Sequence, residues 1–155
     1  MSIAVDNKML HDENAAQGSD VFSRDWLDYL KETWNQEDGL AEQLRMAHFN
    51  SIVAFGLLDE DSPRAFLVIR DGEVREVSTC SDDDPDWDLR ADRTQWERWL
   101  NEPPGLFALG MAFTTRSLQF RRGNYPAMIK DPLMAESFKK SFMLMAEAYQ
   151  RTSHY

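Results

Sequence analysis

The chain has 155 residues, 43% of them hydrophobic and 12% aromatic, enough for one domain with a real core and too apolar for a disordered chain. Its net charge of −10 is unevenly spread: residues 1–102 carry 24 acidic and 10 basic side chains, and residues 103–155 carry 3 and 7. An acidic body repels phosphate backbones, which argues against nucleic acid as a partner.

The single Cys80 excludes an internal disulfide and any cysteine-based metal site. No apolar run approaches the ~20 residues of a membrane span, and the polar first 20 residues lack the apolar stretch of a signal peptide. The expected setting is therefore soluble and cytoplasmic. The expected division is a flexible acidic leader over 1–22, one domain over 23–150 and a tail over 151–155.

In chain order, Ser23 reads as a helix N-cap with Asp25 in the first turn, followed by Trp26, Leu27, Leu30 and Trp34 at helical spacing. Asn35 to Gly39 breaks that pattern, and Leu40, Leu44, Ala47 and His48 resume it. This predicts two helices, or one interrupted helix, up to about residue 50. The texture then changes to short runs, SIVAFGLLD, RAFLVIR and EVREVST, rich in β-branched and aromatic residues. DEDSP separates the first two, and Asp71-Gly72 is a strong two-residue hairpin signal between the second and third.

Trp87 and Leu89 alternate with Asp88, Arg90 and Asp92, as in a fourth strand with one wet face. Residues 94–101 place Trp96, Trp99 and Leu100 on one helical stripe. Pro103-Pro104 ends that helix, and Pro104 is expected to open a short one through Leu109. SLQFRR predicts a fifth strand, Gly123 to Tyr125 a turn, and Pro132 the start of a terminal helix. That helix has the apolar face Met134, Phe138, Ser141, Phe142, Met145 and Tyr149. Strands grouped together with helices at the ends point to an α+β fold.

TCSDDDPDWDLRA, residues 79–91, packs five aspartates into positions 82–88. A calcium loop of EF-hand type needs glycine at its sixth position and glutamate at its twelfth. Started at Asp82 the frame finds Trp87 and Arg93; started at Asp84 it finds Leu89 and Gln95. Both frames fail, so the expectation is a solvated loop entering a strand, with no metal.

Catalytic signatures are sparse. Cys80 sits beside an acidic run that disfavours its thiolate. There is no G-x-S-x-G elbow, no Gly-rich phosphate loop and no HExxH. His48 is the best acid or base candidate, but late in a helix it equally suits the C-terminal dipole; His11 and His154 fall in the expected tails. Trp96 and Trp99 could stack on a flat ligand or simply pack helix on sheet. Arg116, Arg121 and Arg122 could hold an anionic head group or form the wet face of the last strand.

One order of features stands out. An apolar strand ends in Asp71-Gly72-Glu73-Val74, and an acidic loop leads into Trp87-Asp88-Leu89-Arg90-Ala91. A helix with Trp96 and Trp99-Leu100 follows, then a Pro-led helix, the strand Ser117-Leu118-Gln119-Phe120-Arg121 and a terminal amphipathic helix. Over residues 25–150 this resembles the sterol carrier protein 2 (SCP2-like) family. Two stretches depart from its pattern: Ala108 to Phe113 echoes it loosely, and Arg122-Gly123-Asn124 replaces the usual glycine-aspartate.

The resemblance implies a five-stranded, largely antiparallel sheet with helices on one face around an apolar cavity. It implies a non-enzymatic carrier of a fatty acyl chain, sterol or similar molecule, without a cofactor. The expected cavity wall is Phe55, Leu67, Trp96, Leu118, Phe120, Met134, Phe138, Phe142 and Met145. The rival reading of those residues is ordinary core. The rival functions are an accessory subunit of a multicomponent enzyme, docking through the acidic 82–88 loop, and an enzyme that has adapted the cavity.

Overall fold

The structure, a computed structural model, describes residues 21–153. Most of the expected leader, with His11, and also His154 lie outside the described residues. Val21 and Phe22, at the leader's expected end, are buried in the core.

Ser23 does cap the first helix, α1 (Arg24–Gln36), its hydroxyl accepting from the Trp26 N–H at 3.2 Å. The chain then restarts. The Glu37 carboxylate accepts from the N–H groups of Gly39 and Leu40, at 2.8 and 3.1 Å, and opens α2 (Asp38–Met46). These are therefore two capped helices and not one interrupted helix.

The strands are β1 (Ser51–Leu57), β2 (Ala65–Arg70), β3 (Glu73–Ser78) and β4 (Trp87–Ala91). Next come α3 (Arg93–Asn101), α4 (Leu106–Thr114), β5 (Gln119–Arg122), α5 (Tyr125–Ile129) and α6 (Pro132–Ser153). The sheet order is β3-β2-β1-β4-β5, with β1 and β4 parallel and every other pairing antiparallel. The fold is α+β.

Asp71 and Gly72 both take positive φ, 54° and 82°, as a tight hairpin requires. A Cβ on Gly72 would lie 2.2 Å from the Ala41 carbonyl oxygen, so the turn is seated directly on α2. The Trp34 indole N–H donates to the Gly72 carbonyl at 3.0 Å, and the Asn35 amide brackets Val74 with two 2.9 Å bonds. The hairpin is thereby tied to α1.

Two bulges adjust the sheet. Val68 pairs with Glu76 and Ile69 with Val74, leaving Arg75 unmatched. Val74 and Val77 thus both face inward, although three residues apart they would otherwise oppose. In β5, Asp88 pairs with Arg122 and Leu89 with Phe120, leaving Arg121 unmatched.

Helices α1, α3 and α6 cover one face, meeting Val53, Phe55, Leu67, Ile69 and Leu89. The other face is closed locally by the 58–64 loop around a buried ion pair. Arg90 meets Asp88 at 2.7 Å and donates to the carbonyls of Leu57, Glu60 and Asp61. Gly56 lies opposite Arg90, and its missing Cβ leaves room for that guanidinium. Every charged end is paired, which offsets the desolvation of burying it.

The expected wet face of β4 is therefore buried at Asp88 and Arg90, because the 58–64 loop covers it, and two further stretches differ from expectation. The helix after Pro103-Pro104 begins at Leu106, with Gly105 as its N-cap, and runs on to Thr114. The expected turn at Gly123 to Tyr125 leads at once into α5. There Asn124 Oδ1 accepts from the Ala127 N–H at 2.9 Å and Pro126 occupies the first turn.

Candidate functional site

The interior between sheet and α6 has a solid half and a hollow half. In the solid half Phe142 stacks on Trp96 at 6.2 Å and meets Trp99 edge-on at 5.6 Å. Trp96 in turn contacts Phe55 and Phe22, and Trp26 contacts both of those rings. The indole N–H groups of Trp26 and Trp96 donate to the carbonyls of Met145 and Gly56, so these large rings are fixed by polar bonds as well as packing.

The hollow lies toward the N-terminal half of α6. It has a volume of about 70 Å³ and is walled by Val53, Phe55, Ile69, Trp87, Leu89 and Phe120 from the sheet. Trp34, Leu44, Phe49 and Met128 close its sides, and Met134, Ser137, Phe138 and Ser141 of α6 form its roof. Phe49, Val53, Trp87, Phe120, Met134 and Phe138 are half-buried, so the wall reaches toward solvent.

Among the described residues, no ionisable side chain lines the hollow. Besides the indole N–H groups of Trp34 and Trp87, its wall residues carry two side-chain hydroxyls. Ser141 donates to the Phe138 carbonyl at 2.6 Å, and Ser137 has the Leu133 carbonyl at 2.9 Å and Gln43 at 3.2 Å. Both retain acceptor lone pairs.

Of the nine expected wall residues, Phe55, Phe120, Met134 and Phe138 meet around this space. Leu67, Trp96, Leu118, Phe142 and Met145 are buried elsewhere in the core. Trp34, Leu44, Phe49, Val53, Ile69, Trp87, Leu89 and Met128 line the hollow without having been singled out. Strand alternation from Phe55 reaches Val53, and from Leu67 it reaches Ile69; the others need the tertiary register.

His48 ends α2. It has φ of 56°, its N–H donates to the Arg45 carbonyl, and the Phe49 N–H reaches back to the Leu44 carbonyl at 2.9 Å. This is a Schellman stop, with Leu44 and Phe49 as its apolar pair, and both residues face the hollow. His48 itself is exposed and is not part of the wall.

The arginines divide too. The bulged Arg121 donates to the carbonyls of Leu58 and Glu60 at 61–63 residues' separation, away from the hollow, while Arg116 and Arg122 are exposed. In the aspartate cluster, Asp82, Asp83 and Asp84 are exposed. Asp86 caps β1 by accepting from the Ile52 N–H at 2.8 Å, and Asp88 is the buried partner of Arg90. No group of three or more metal-ligating side chains forms among the described residues. No helix there is long and apolar enough to cross a membrane.

No family model matches the sequence, and no curated protein proves similar to it. Solved structures do match. The crystal structure of sterol carrier protein 2 superimposes with a TM-score of 0.66 at 14% identity, over 83% of this chain and 98% of that one.

This chain has the SCP2 fold.

The solution structure of TT1886 from Thermus thermophilus, described as possibly a sterol carrier protein, shares the SCP2 fold. Its TM-score is 0.60 at 13% identity, over 86% of this chain and 90% of that one. UbiJ-SCP2, described as a ubiquinone synthesis protein, follows at 0.50 and 13%, over 77% and 90%. The expected five-stranded α+β arrangement is therefore present despite sequence divergence.

Proposed function

We propose that the protein is a non-catalytic carrier that holds the apolar part of a small lipid-like molecule between its sheet and the first half of α6. The observation that carries this reading is the hollow itself, walled mainly by apolar and aromatic side chains and by no ionisable one. The SCP2 fold, shared with a structure named as a sterol carrier protein, supports it.

The space is small. A dry cavity of about 150 Å³ accommodates benzene, so about 70 Å³ admits only a few carbon atoms. Loading a longer chain requires the roof to yield, and the roof and side are rich in suitable groups. Met128 and Met134 are unbranched and adapt their shape, and Phe138 is half-buried. Each methylene of the guest that leaves water contributes about 0.8 kcal/mol. With no cation on the wall, the enclosed part of the guest is uncharged, since a buried carboxylate would be left without a partner.

The test is organic extraction of freshly isolated protein followed by mass spectrometry, with Phe138→Asp in parallel. The expected result is a co-purifying apolar molecule in the wild type, absent from the variant. An empty wild-type protein that also takes up no fluorescent alkyl probe would exclude the carrier role.

A second reading, an accessory subunit, is favoured by the likeness to the ubiquinone synthesis protein and by the exposed Asp82, Asp83 and Asp84. It predicts salt-sensitive co-purification with a basic partner, lost in the triple Asn variant.

A further inference from the structure

We propose that α4 and the cations beside it form a docking surface for an anionic lipid membrane. α4 reads LFALGMAFT and has no charged side chain. A helix apolar all round is ordinarily buried in a protein core or in lipid. Here only Leu109 is fully buried, whereas Phe107 is 83% exposed and Met111 47% exposed.

Charge singles out the occupant. The chain is net −10, yet residues 103–130 contain Arg116, Arg121, Arg122 and Lys130 and no acidic side chain. Arg98 shares a groove with Ala108 and Met111, where Glu102 is the acidic group on the rim. Arg116, at positive φ just beyond the helix, borders the groove of Phe113 and Gln119 on another side. Apolar side chains flanked by arginines match an interface at which the former enter the acyl boundary and the latter meet anionic head groups. An acidic protein would satisfy the arginines but supplies no reason for an uncharged helix between them.

The opposite side of α4 from Phe107 and Met111 packs toward the hollow's edge. The Phe113 ring lies 4.5 Å from Tyr125 and 6.0 Å from Phe120, and both of those rings contact Phe138. Docking through Phe107 and Met111 therefore leaves these ring contacts undisturbed. The inference goes beyond the carrier reading and does not require the hollow to be loaded.

The test is sedimentation of the full chain with phosphatidylcholine vesicles, with and without phosphatidylserine. Binding is expected to the phosphatidylserine vesicles, weakened by salt and roughly tenfold poorer to phosphatidylcholine alone. Phe107→Ser combined with Met111→Ser is expected to lower it roughly tenfold at unchanged melting temperature, because both side chains are exposed. Arg98→Glu with Arg116→Glu should do the same without touching the helix.

Absence of vesicle binding, or equal binding by the Phe107/Met111 variant, would overturn the proposal. So would a wild-type dimer that the variant renders monomeric without any vesicle binding, since the patch would then be a contact between copies. Failure of ligand uptake with vesicle binding intact would count against the carrier reading alone.

Discussion

His48 illustrates how a residue's chemistry and its position can point to different roles. Its imidazole suggested acid–base work, but its backbone occupies the left-handed position that closes α2 and aims Phe49 at the hollow. A non-glycine residue there carries a steric cost of about 1 kcal/mol. His48→Gly should therefore raise stability by up to about 1 kcal/mol in denaturant melts and leave ligand uptake intact. Loss of uptake with stability unchanged would restore a functional imidazole.

Glu37 offers a pH-dependent counterpart. The Leu40 N–H holds its carboxyl below the ordinary value of 4.5; burial opposes this, and the Lys140 ammonium and the Gly39 N–H add to it. A folded-state value below the unfolded one means that the cap's full contribution is present above the ordinary value. It is lost as the pH falls through the folded value. The drop in melting temperature between about pH 5 and about pH 3 should accordingly be smaller in Glu37→Gln than in the wild type.

At the scale of elements, α6 is one helix with two kinds of underside. Phe142 is clasped by Trp96 and Trp99, whereas Met134 overlies empty space. Phe142→Ala should cost about 3–5 kcal/mol, and Met134→Ala less than about 2 kcal/mol, because fewer of its contacts are there to lose. Equal costs, read from chemical denaturation, would mean that the hollow half is as tightly filled as the rest.

This division was not legible in the sequence. Met134, Phe138, Phe142 and Met145 recur at a single helical period, and periodicity identifies the buried face without saying what is opposite each position. The Ser23 cap, the Asp71-Gly72 hairpin and the inward-facing Trp87 and Leu89 of β4 were legible because each follows a local rule. The bulges at Arg75 and Arg121, the parallel β1–β4 pairing and α5 were not. Each depends on a neighbour distant in sequence or, for α5, on a cap at Asn124 that resembles an ordinary turn residue.

Across the whole molecule, charge and apolar surface are separated in a consistent way. The acidic first two-thirds contribute α1, α2 and most of the sheet, and they present Asp82 to Asp84 to solvent. The cationic last third contributes α4, the edge strand β5 and the helix that roofs the hollow. Arginines fasten the 58–64 loop: the buried Arg90 and the exposed Arg121 both donate to the Glu60 carbonyl at 2.6 Å. Among the described residues, no ionisable side chain joins Ser137 and Ser141 in the wall of the hollow.

The central claim, that the space beneath the first half of α6 accepts an apolar guest, is tested most directly by tryptophan fluorescence. Trp34 and Trp87 line that space, so a long-chain alcohol entering it must alter their emission. Titrating wild type and Met134→Trp, whose added bulk fills the hollow, should give saturable one-to-one binding in the wild type. Affinity in the filled variant should be about tenfold or more weaker, roughly 1.4 kcal/mol, at an unreduced melting temperature. Unsaturable emission changes in the wild type, or equal affinities in both proteins, would contradict the account.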